Sequence, residues 1–532
     1  MPSASSPASN RWLVLAMVCI AQFMVVLDGT VVNVALPHIA DSLHFTPENL
    51  PWVINAYTLV FGGFLLLGGR LADIVGRKRL FLAGVIVFTL ASVACGLAHS
   101  SEFLLVARAF QGLGGAMVSP AALSIVTTTF HNPAERAKAL SVWAAIAVGG
   151  SAVGLLAGGV LTEMLSWEWI FFINAPIGLA TLVGSLRIVP ESRMEGRHGV
   201  DIAGAVSVTA GVTLLVYGIV KAESFGWGSW ETWALLGGAL ALLGVFVMVQ
   251  RVVSSPLVRL GIFRMRHITG ANVVMLATMG GMFGTFFFTS IYVQNILGFS
   301  AIQTGVAFLP MTAMIIVFAG VAQHLLGRVS PRTVGMIGMT GAAIGLVMLH
   351  GIAADGSYWT DLLPGILVLA AGLGLTFVPL TLIATGGVSD DDAGLASGLF
   401  NTSQQVGGAL GLAILTTVAN SLTTSRLSGA IPPDILAKGL SQEQMAAVTQ
   451  AAAQGASPQQ IAQIAGQPLS ATEVEQIAQA TQHQAVALVE GFQRGFLVGA
   501  GLMVIGVIML AVLVRKRDLA GISVDQPASA HL

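Results

Sequence analysis

Charge is scarce in this chain of 532 residues, since Asp, Glu, Lys and Arg together make up 9% of it. A soluble globular domain carries about a quarter charged residues, so the composition excludes that class. Apolar residues account for 55% of the chain and the mean hydropathy is +0.83, which predicts a protein that crosses a membrane many times. The net charge of −1 gives no reason to expect nucleic acid as a partner.

Motifs for nucleotide, metal and acyl chemistry are also missing. The sequence has no Gly-x-x-x-x-Gly-Lys-Ser/Thr phosphate loop, no His-x-x-x-His or Cys-x-x-Cys pair and no Gly-x-Ser-x-Gly elbow. We therefore expect no enzyme activity, no cofactor and no metal. The two cysteines, Cys19 and Cys95, fall in apolar stretches and indicate nothing about the redox compartment. The first ten residues lack a basic region and a cleavage site, so we expect the first apolar stretch to be retained.

Apolar segments long enough to cross a bilayer as helices occur fourteen times. They cover approximately residues 12–34, 51–69, 80–98, 103–127, 139–161, 169–187, 202–220, 232–250, 268–292, 302–323, 333–353, 361–386, 395–420 and 496–514. If the N-terminus is cytoplasmic, nineteen of the 24 Lys and Arg residues fall on the cytoplasmic side. Because positive residues concentrate on that side, we predict a multi-pass protein of the cytoplasmic membrane with both termini inside.

The first segment closes on LDGTVVNVALP, residues 27–37, and places Asp28 where the solvent is hydrocarbon. An ionisable group at that depth costs a few kcal/mol or more, so it indicates a functional site. The alternative is an acid that only hydrogen-bonds a neighbouring helix. Thr30 and Asn33 follow within about one and a half turns, and we take both as candidates for the wall of a substrate cavity.

The stretch GRLADIVGRKRL, residues 69–80, forms the loop between the second and third segments. Asp73 and Arg77 are four residues apart, which places opposite charges on one helical face. Gly69 and Gly76 allow tight turns and close backbone approach. These residues match the signature loop of the major facilitator superfamily, G-x-L-x-D-x-x-G-R-[KR]. The resemblance implies that the four residues form a conformational latch on the cytoplasmic face.

Further motifs resemble the fourteen-helix drug:proton antiporter family of that superfamily. LDGTVVNVALP is similar to the first-helix motif of that family, and WEWIFFINAPIG resembles its W-R-W-I-F-x-I-N-x-P-I-G segment. Arg108, Gln111 and Gly112 fit the R-x-x-Q-G pattern of the fourth helix. Two positions depart from the family pattern. Leu155 replaces the usual proline of the fifth-helix antiporter motif, and Glu168 replaces the usual arginine.

The resemblance implies an all-α major facilitator fold, with two six-helix bundles plus two extra helices. In this sequence the plan gives a cytoplasmic tail at 1–11, an N-terminal bundle at 12–188, a linker with two additional helices at 189–267, a C-terminal bundle at 268–514 that includes an outer loop at 421–494, and a tail at 515–532. The substrate site of such duplicated transporters lies near the midplane, between the bundles.

The depth of Arg108 in the membrane can be estimated without reference to the family resemblance. Asp28 and Arg108 both lie some six residues from the outer ends of their predicted helices, so they share nearly the same depth. A buried Arg needs an anion or carbonyl oxygens, and we therefore predict that Asp28 and Arg108 form a proton-coupling pair. The alternative is an Arg side chain that reaches the outer headgroups.

Small residues recur with a four-residue period in the fifth segment, at Gly150, Gly154 and Gly158, and Gly159 follows. Such a stripe lets helices approach closely and would suit a sliding surface between bundles, with plain helix packing as the alternative. Other polar or aromatic residues within the segments are candidates for the substrate cavity. These candidates are Gln111, Phe287, Tyr292, Asn401, Gln404 and Gln405.

The segment 421–494 is rich in Ala and Gln and is too polar to span the membrane. Ser-x-x-Gln/Glu patterns that begin at Ser441, Ser457 and Ser470 are capping boxes. They predict three short amphipathic helices outside the membrane.

These observations predict a proton-driven exporter of small amphiphilic or lipophilic compounds, monomeric and in contact with membrane lipid. Export by antiport rests on the resemblance, whereas proton coupling also rests on the lone deep acid. Within the same class, the alternative is an exporter of one endogenous product, such as an antibiotic, a siderophore or a lipid. From a different class, the alternative is a non-transporting membrane sensor or a channel.

Overall fold

The computed structural model describes residues 9–46, 49–130, 133–192, 201–254, 256–326, 328–386, 390–427, 444, 448, 458–466 and 469–515. Across these residues the secondary structure is helical, and they form no β-strand. In hydrocarbon each backbone N–H and C=O group must be satisfied without water, and a helix does this within one segment. The predicted all-α class is confirmed.

The first half of the chain forms seven helices. They are α1 (Ser9–Leu43), α2 (Trp52–Val75), α3 (Arg77–Gly96), α4 (Ser101–Thr129), α5 (Pro133–Met164), α6 (Trp169–Phe172) and α7 (Asn174–Ile188). Ser100 caps α4 by accepting a hydrogen bond from the Phe103 N–H, which satisfies one of the unpaired donors of the first turn. Helices α6 and α7 together form one segment that is long and apolar enough to cross a membrane.

Two further helices and the second half of the chain follow. They are α8 (Ile202–Phe225), α9 (Trp230–Val252), α10 (Arg266–Ile291), α11 (Ala301–Ala307), α12 (Leu309–Leu326), α13 (Pro331–Leu349), α14 (Leu363–Thr385), α15 (Asp390–Leu427), α16 (Pro458–Ala465) and α17 (Ala471–Leu513). A 3₁₀ turn at Leu260–Arg264 precedes α10, and π-helical turns lie at Tyr292–Ile296 and Tyr358–Leu362.

Twelve helical segments among the described residues are long and apolar enough to cross a membrane. Two shorter apolar stretches, Trp52–Leu65 in α2 and Val153–Met164 in α5, fall where two further spans are predicted. The prediction of fourteen spans is compatible with this count. Some predicted spans are shorter than the observed helices; α1, for example, continues beyond the predicted span 12–34 at both ends.

The prediction of a loop at residues 69–80 is wrong. Helix α2 continues to Val75 and α3 begins at Arg77, so Gly76 alone separates them. Its φ of 114° lies in a region that glycine adopts readily and other residues avoid. A single glycine therefore makes the whole connection between the two helices.

Helices α8 and α9 lie where the sequence predicts the two additional helices, and α8 contacts both α2 and α15. One apolar cluster contains Leu59 of α2, Val212 and Val216 of α8, and Ala409 and Ala413 of α15. Helix α8 therefore packs across the boundary between α2, in the N-terminal bundle, and α15, in the C-terminal bundle.

The prediction of three short helices after α15 is correct in part. The first predicted helix begins at Ser441 and lies outside the described residues except for Gln444 and Val448. The second corresponds to α16. The third begins at the predicted capping box of Ser470 and Glu473, but it does not end outside the membrane. It continues to Leu513 as α17, because the Ala- and Gln-rich sequence after the box has high helix propensity and contains no proline.

Candidate functional site

Asp28 of α1 is fully buried, at 0% exposure, and faces the other helices of the N-terminal bundle. The next residue behaves in the opposite way. Gly29 is exposed, and a Cβ built on it would meet no atom within 4 Å. Helix α1 therefore presents open space at Gly29 and encloses the acid one position earlier.

Arg108 of α4 is the charge partner of this acid. Its Nη1 donates to Asp28 Oδ2 at 2.6 Å and to Gln111 Oε1 at 2.7 Å, and its Nε donates to the Val53 carbonyl at 3.0 Å. The guanidinium also lies 4.5 Å from the ring centre of Tyr57, a cation–π distance. Arg108 is 1% exposed, so it does not extend to the headgroups.

The second carboxylate oxygen of Asp28 has two amide donors. Gln111 Nε2 donates to Oδ1 at 2.6 Å, and Asn174 Nδ2 of α7 donates to it at 3.1 Å. Arg108 and Gln111 are three residues apart, which places both on one face of α4. The R-x-x-Q spacing therefore delivers a cation and an amide to the same carboxylate.

Ser92 of α3 lies behind the two amides. Its hydroxyl accepts from Gln111 Nε2 at 3.1 Å and from Asn174 Nδ2 at 2.9 Å, and donates to the Phe171 carbonyl at 2.9 Å. Sequence reasoning missed Ser92 as a site residue, because a serine in an apolar segment carries no distinct signal. Asn174 lay within a recognised motif but was not assigned to the site. Five helices, α1, α2, α3, α4 and α7, thus hold one buried ion pair.

The predicted latch residues surround the Gly76 turn. The Arg77 N–H donates to the Ser192 carbonyl at 2.9 Å, and the Lys78 N–H donates to Glu191 Oε1 at 3.2 Å. Arg79 Nε lies 3.6 Å from Glu191 Oε2. Residues 191 and 192 follow α7 closely, so the turn is fastened to the end of the N-terminal bundle. Glu191 was not predicted as a partner.

The other two predicted latch residues, Gly69 and Asp73, lie in the last part of α2. The Asp73 side chain lies outside the part of the chain whose side chains are described. A Cβ built on Gly69 would lie 3.7 Å from the Cβ of Pro120 in α4, which is an ordinary van der Waals distance. The close approach occurs one residue earlier, where a Cβ on Gly68 would overlap the Ala116 carbonyl.

The glycines of α5 bring two neighbours close to this helix. Cβ atoms built on three of these glycines would contact α1. A Cβ on Gly150 would lie 3.2 Å from Val26 Cγ1, and one on Gly158 would lie 2.8 Å from the Val31 carbonyl oxygen. A Cβ on Gly154 would overlap the Thr30 side chain. A Cβ on Gly159 would instead lie 2.5 Å from the Ala301 carbonyl, at the start of α11. The stripe therefore packs on α1, and its last residue contacts the C-terminal bundle.

Comparison with known proteins identifies the family. The family model of the Major Facilitator Superfamily matches residues 18–412. The chain belongs to this superfamily.

Relatives in the superfamily include exporters of antibiotics. The chain is 42% identical to the puromycin resistance protein pur8 of Streptomyces alboniger over 80% of its own length and 85% of that protein. It is 40% identical to the cephamycin export protein CmcT of Amycolatopsis lactamdurans, over 79% and 87%. It is 33% identical to the multidrug resistance protein Stp of Mycobacterium tuberculosis, over 80% and 79%. These relatives agree with the predicted drug:proton antiporter family.

A solved structure shares the fold. The inward-facing, unoccupied crystal structure of a bacterial homologue of the human lysosomal transporter Spinster aligns with a TM-score of 0.58 and 15% identity. The alignment covers 95% of this chain and 98% of that one. At this identity the likeness concerns the fold, and it supports the predicted major facilitator architecture.

Three predicted cavity residues of this major facilitator protein are buried. Gln111 is 0% exposed and bonds Asp28, Tyr292 is 0% exposed and donates to the Ala353 carbonyl at 2.7 Å, and Phe287 packs on Phe288. In this conformation they are enclosed, and their contact with substrate stays a prediction. Gln111 belongs to the ion-pair network, and the two aromatic side chains belong to the packing of α10 and its π-turn.

The remaining cavity candidates are accessible or half-buried. Asn401 is exposed, and Gln404 and Gln405 are half-buried. Thr30 and Asn33 are also half-buried, but both side chains donate to carbonyls of α1 itself. Asn401 and the two glutamines therefore stay candidates for substrate contact.

Proposed function

We propose that this chain is a proton-coupled exporter of amphiphilic compounds that works by alternating access. Asp28 is the proton-binding residue, and Arg108 is its counter-charge. The supporting observation is the ion pair itself, with both side chains at most 1% exposed inside helices that cross a membrane. Buried pairs of this kind contribute little net stability, because the desolvation of both charges offsets their attraction. A functional role gives a reason for such a pair in a bilayer.

The network defines what a proton does at this site. A proton on Asp28 neutralises the carboxylate and removes the charge that balances Arg108. Arg108 then keeps the Gln111 and Val53 oxygens as acceptors. Protonated Asp28 gains an O–H donor. The Oδ1 atom of Asn174 is buried and has no donor among the described residues, so after the amide rotates it can accept a hydrogen bond from the protonated carboxyl. Binding and release of the proton thus rearrange contacts among α1, α4 and α7.

Export, rather than uptake, is supported by the relatives named for puromycin resistance, cephamycin export and multidrug resistance. We infer that both termini are cytoplasmic, that the chain lies in the cytoplasmic membrane as a monomer, and that Asp73 and Arg77 act in the cytoplasmic latch. We also propose the boundaries of the two bundles and the linker that the sequence predicts.

A dedicated exporter of one endogenous product is the second candidate. The similarity to a cephamycin export protein favours it, whereas the similarity to Stp favours a broad substrate range. The test is transport by the purified chain in proteoliposomes with an imposed pH gradient, over a panel of puromycin, a cephamycin and unrelated lipophilic dyes. Accumulation of several chemotypes supports the multidrug function, and accumulation of one supports the dedicated exporter. Conductance far above carrier rates, or no counterflow of any compound, would refute both.

A further inference from the structure

The two bundles touch at the end of α1 that follows Asp28. This end contains Pro37, which lies inside the helix. Proline has no N–H, so the carbonyl four residues earlier, that of Asn33, receives no hydrogen bond from position 37. A carbonyl without its helical donor is costly to bury unless another donor reaches it.

Ser290 of α10 supplies that donor from the other bundle. Its Oγ lies 2.5 Å from the Asn33 carbonyl oxygen, and Ser290 is 0% exposed. Gln294 supports the contact, since its Nε2 donates to the Val34 carbonyl at 3.0 Å and to Ser290 Oγ at 3.2 Å. Gln294 lies in the π-turn Tyr292–Ile296 that follows α10. Such turns are frequent at functional sites.

A second contact joins the bundles at the same end. Glu163, at the end of α5, accepts a hydrogen bond from the Ile302 N–H of α11 at 2.9 Å. The Gly159 approach to Ala301 lies one turn away on α5. The bundles are therefore closed at this end, which the distribution of Lys and Arg predicts to be extracytoplasmic.

We propose that Ser290 and Gln294 form the extracytoplasmic gate by holding α1 at two neighbouring carbonyls, the Asn33 carbonyl that Pro37 leaves without a helical donor and the Val34 carbonyl beside it. Opening of the transporter to the outside requires these bonds to break. The bonds are made to a main-chain oxygen, so they report the position of α1 rather than the identity of a side chain. The proposal rests on alternating access within the proposed function, but not on proton coupling.

Loss of one donor shifts the balance between the closed and open gate. A neutral hydrogen bond contributes a net amount that corresponds to about a two- to twelvefold change in an equilibrium constant. We expect Ser290→Ala and Gln294→Leu each to raise the open-to-closed ratio by about this factor. Ser290→Thr keeps the hydroxyl and should restore the parent ratio. Thr285→Val is the matched control, since the Thr285 hydroxyl donates at 2.7 Å to Gly281 within α10 itself.

Pro37→Ala tests the origin of the free carbonyl. Alanine gives Asn33 a helical donor, so the Ser290 hydroxyl competes with that donor for the oxygen. Pro37→Ala should also favour the open gate. The double variant Pro37→Ala/Ser290→Ala should open the gate by less than the product of the two single effects, because both substitutions act on the same bond.

The measurement is the distance between spin labels on Ser42→Cys and Thr360→Cys, two exposed positions at this end of the two bundles. Cys19 and Cys95 are buried, and a chain without introduced cysteines gives their background labelling. The parent should populate a short-distance state, and the gate variants should shift population to longer distances.

Two outcomes would overturn the proposal. One is a parent with no short-distance population. The other is a set of gate variants with distance distributions identical to that of Thr285→Val. Because the distance is read without substrate or proton transport, these outcomes are separable from failure of the proposed function. A chain that does not couple to protons can still show the predicted shifts.

Discussion

Replacement of Asp28 by Asn removes the charge and keeps the size of the side chain, so it separates proton binding from packing. In the parent, Arg108 Nη1 lies 2.6 Å from Asp28 Oδ2, and Gln111 and Asn174 donate to Oδ1. Removal of one partner of such a pair leaves an uncompensated buried charge, at a cost of about 3–5 kcal/mol. We expect Asp28→Asn to lower the free energy of unfolding by that amount and to abolish uphill export.

The double variant Asp28→Asn/Arg108→Gln distinguishes the two effects. It removes both charges, so no unpaired charge stays buried, and most of the lost stability should return. Uphill export should not return, because neither side chain can bind and release a proton during the cycle. Unfolding in mixed detergent micelles measures the free energy of unfolding of the parent and both variants.

Transport in proteoliposomes measures uphill export. One proton moved through about 100 mV is worth about 2.3 kcal/mol, which drives about fiftyfold accumulation of a neutral substrate. Both variants should equilibrate substrate downhill and lose this accumulation. Uphill accumulation by the double variant would refute the assignment, since the proton would then bind elsewhere. A single variant as stable as the parent would refute the argument that Arg108 depends on Asp28 for its charge balance.

Two other predictions test parts of the structure outside the ion pair. Gly76→Ala should lower the free energy of unfolding by about 1–3 kcal/mol, because φ is 114° there and a Cβ would lie 2.7 Å from Glu191 Oε1. Thermal unfolding against Gly244→Ala, a helical glycine with no atom within 4 Å of a built Cβ, checks this; equal stability of the two would contradict it. Replacement of residues 430–466 by a Gly/Ser linker should preserve membrane insertion and transport, whereas replacement of 436–490 should impair both. The longer replacement removes the first half of α17, whose Ala487 carbonyl accepts from Thr423, and equal transport by the two variants would show that this half is dispensable.

The ion pair was predictable from the sequence because its geometry depends on little more than helical rise. Asp28 and Arg108 lie at the same depth in any arrangement that keeps fourteen spans, and a bilayer leaves each few other partners of opposite charge. Ser92 and the position of Asn174 were not predictable in the same way. Their roles depend on which faces of α3 and α7 meet α1, and rotation about a helix axis is set by packing rather than by local sequence.

The acidic partner of the basic residues at the Gly76 turn was likewise not predictable from local sequence. Glycine at position 76 and the neighbouring basic residues are visible in the sequence, and they indicate a sharp turn on the cytoplasmic side. The partner of this turn, Glu191, is 113 residues from Lys78. Glu191 lies in a charged linker, and the sequence does not distinguish it from the other acidic residue there, Glu195. Its role follows only from the return of α7 to the side of the membrane where α3 begins.

Asn33 was predicted to line a cavity because an amide side chain stands out in an apolar segment. In the structure, the main-chain carbonyl of Asn33, rather than its side chain, contacts the other bundle. The amide donates to Gly29 and Thr30 of its own helix, while the main-chain carbonyl accepts from Ser290, 257 residues away. Covalent chemistry alone predicts that Pro37 deprives this carbonyl of a helical donor. The identity of the replacement donor depends on the meeting of α1 and α10, and no pattern of side chains within α1 reports it. A proline in a membrane helix therefore marks a free main-chain acceptor, and the partner of that acceptor has to be found in the packing.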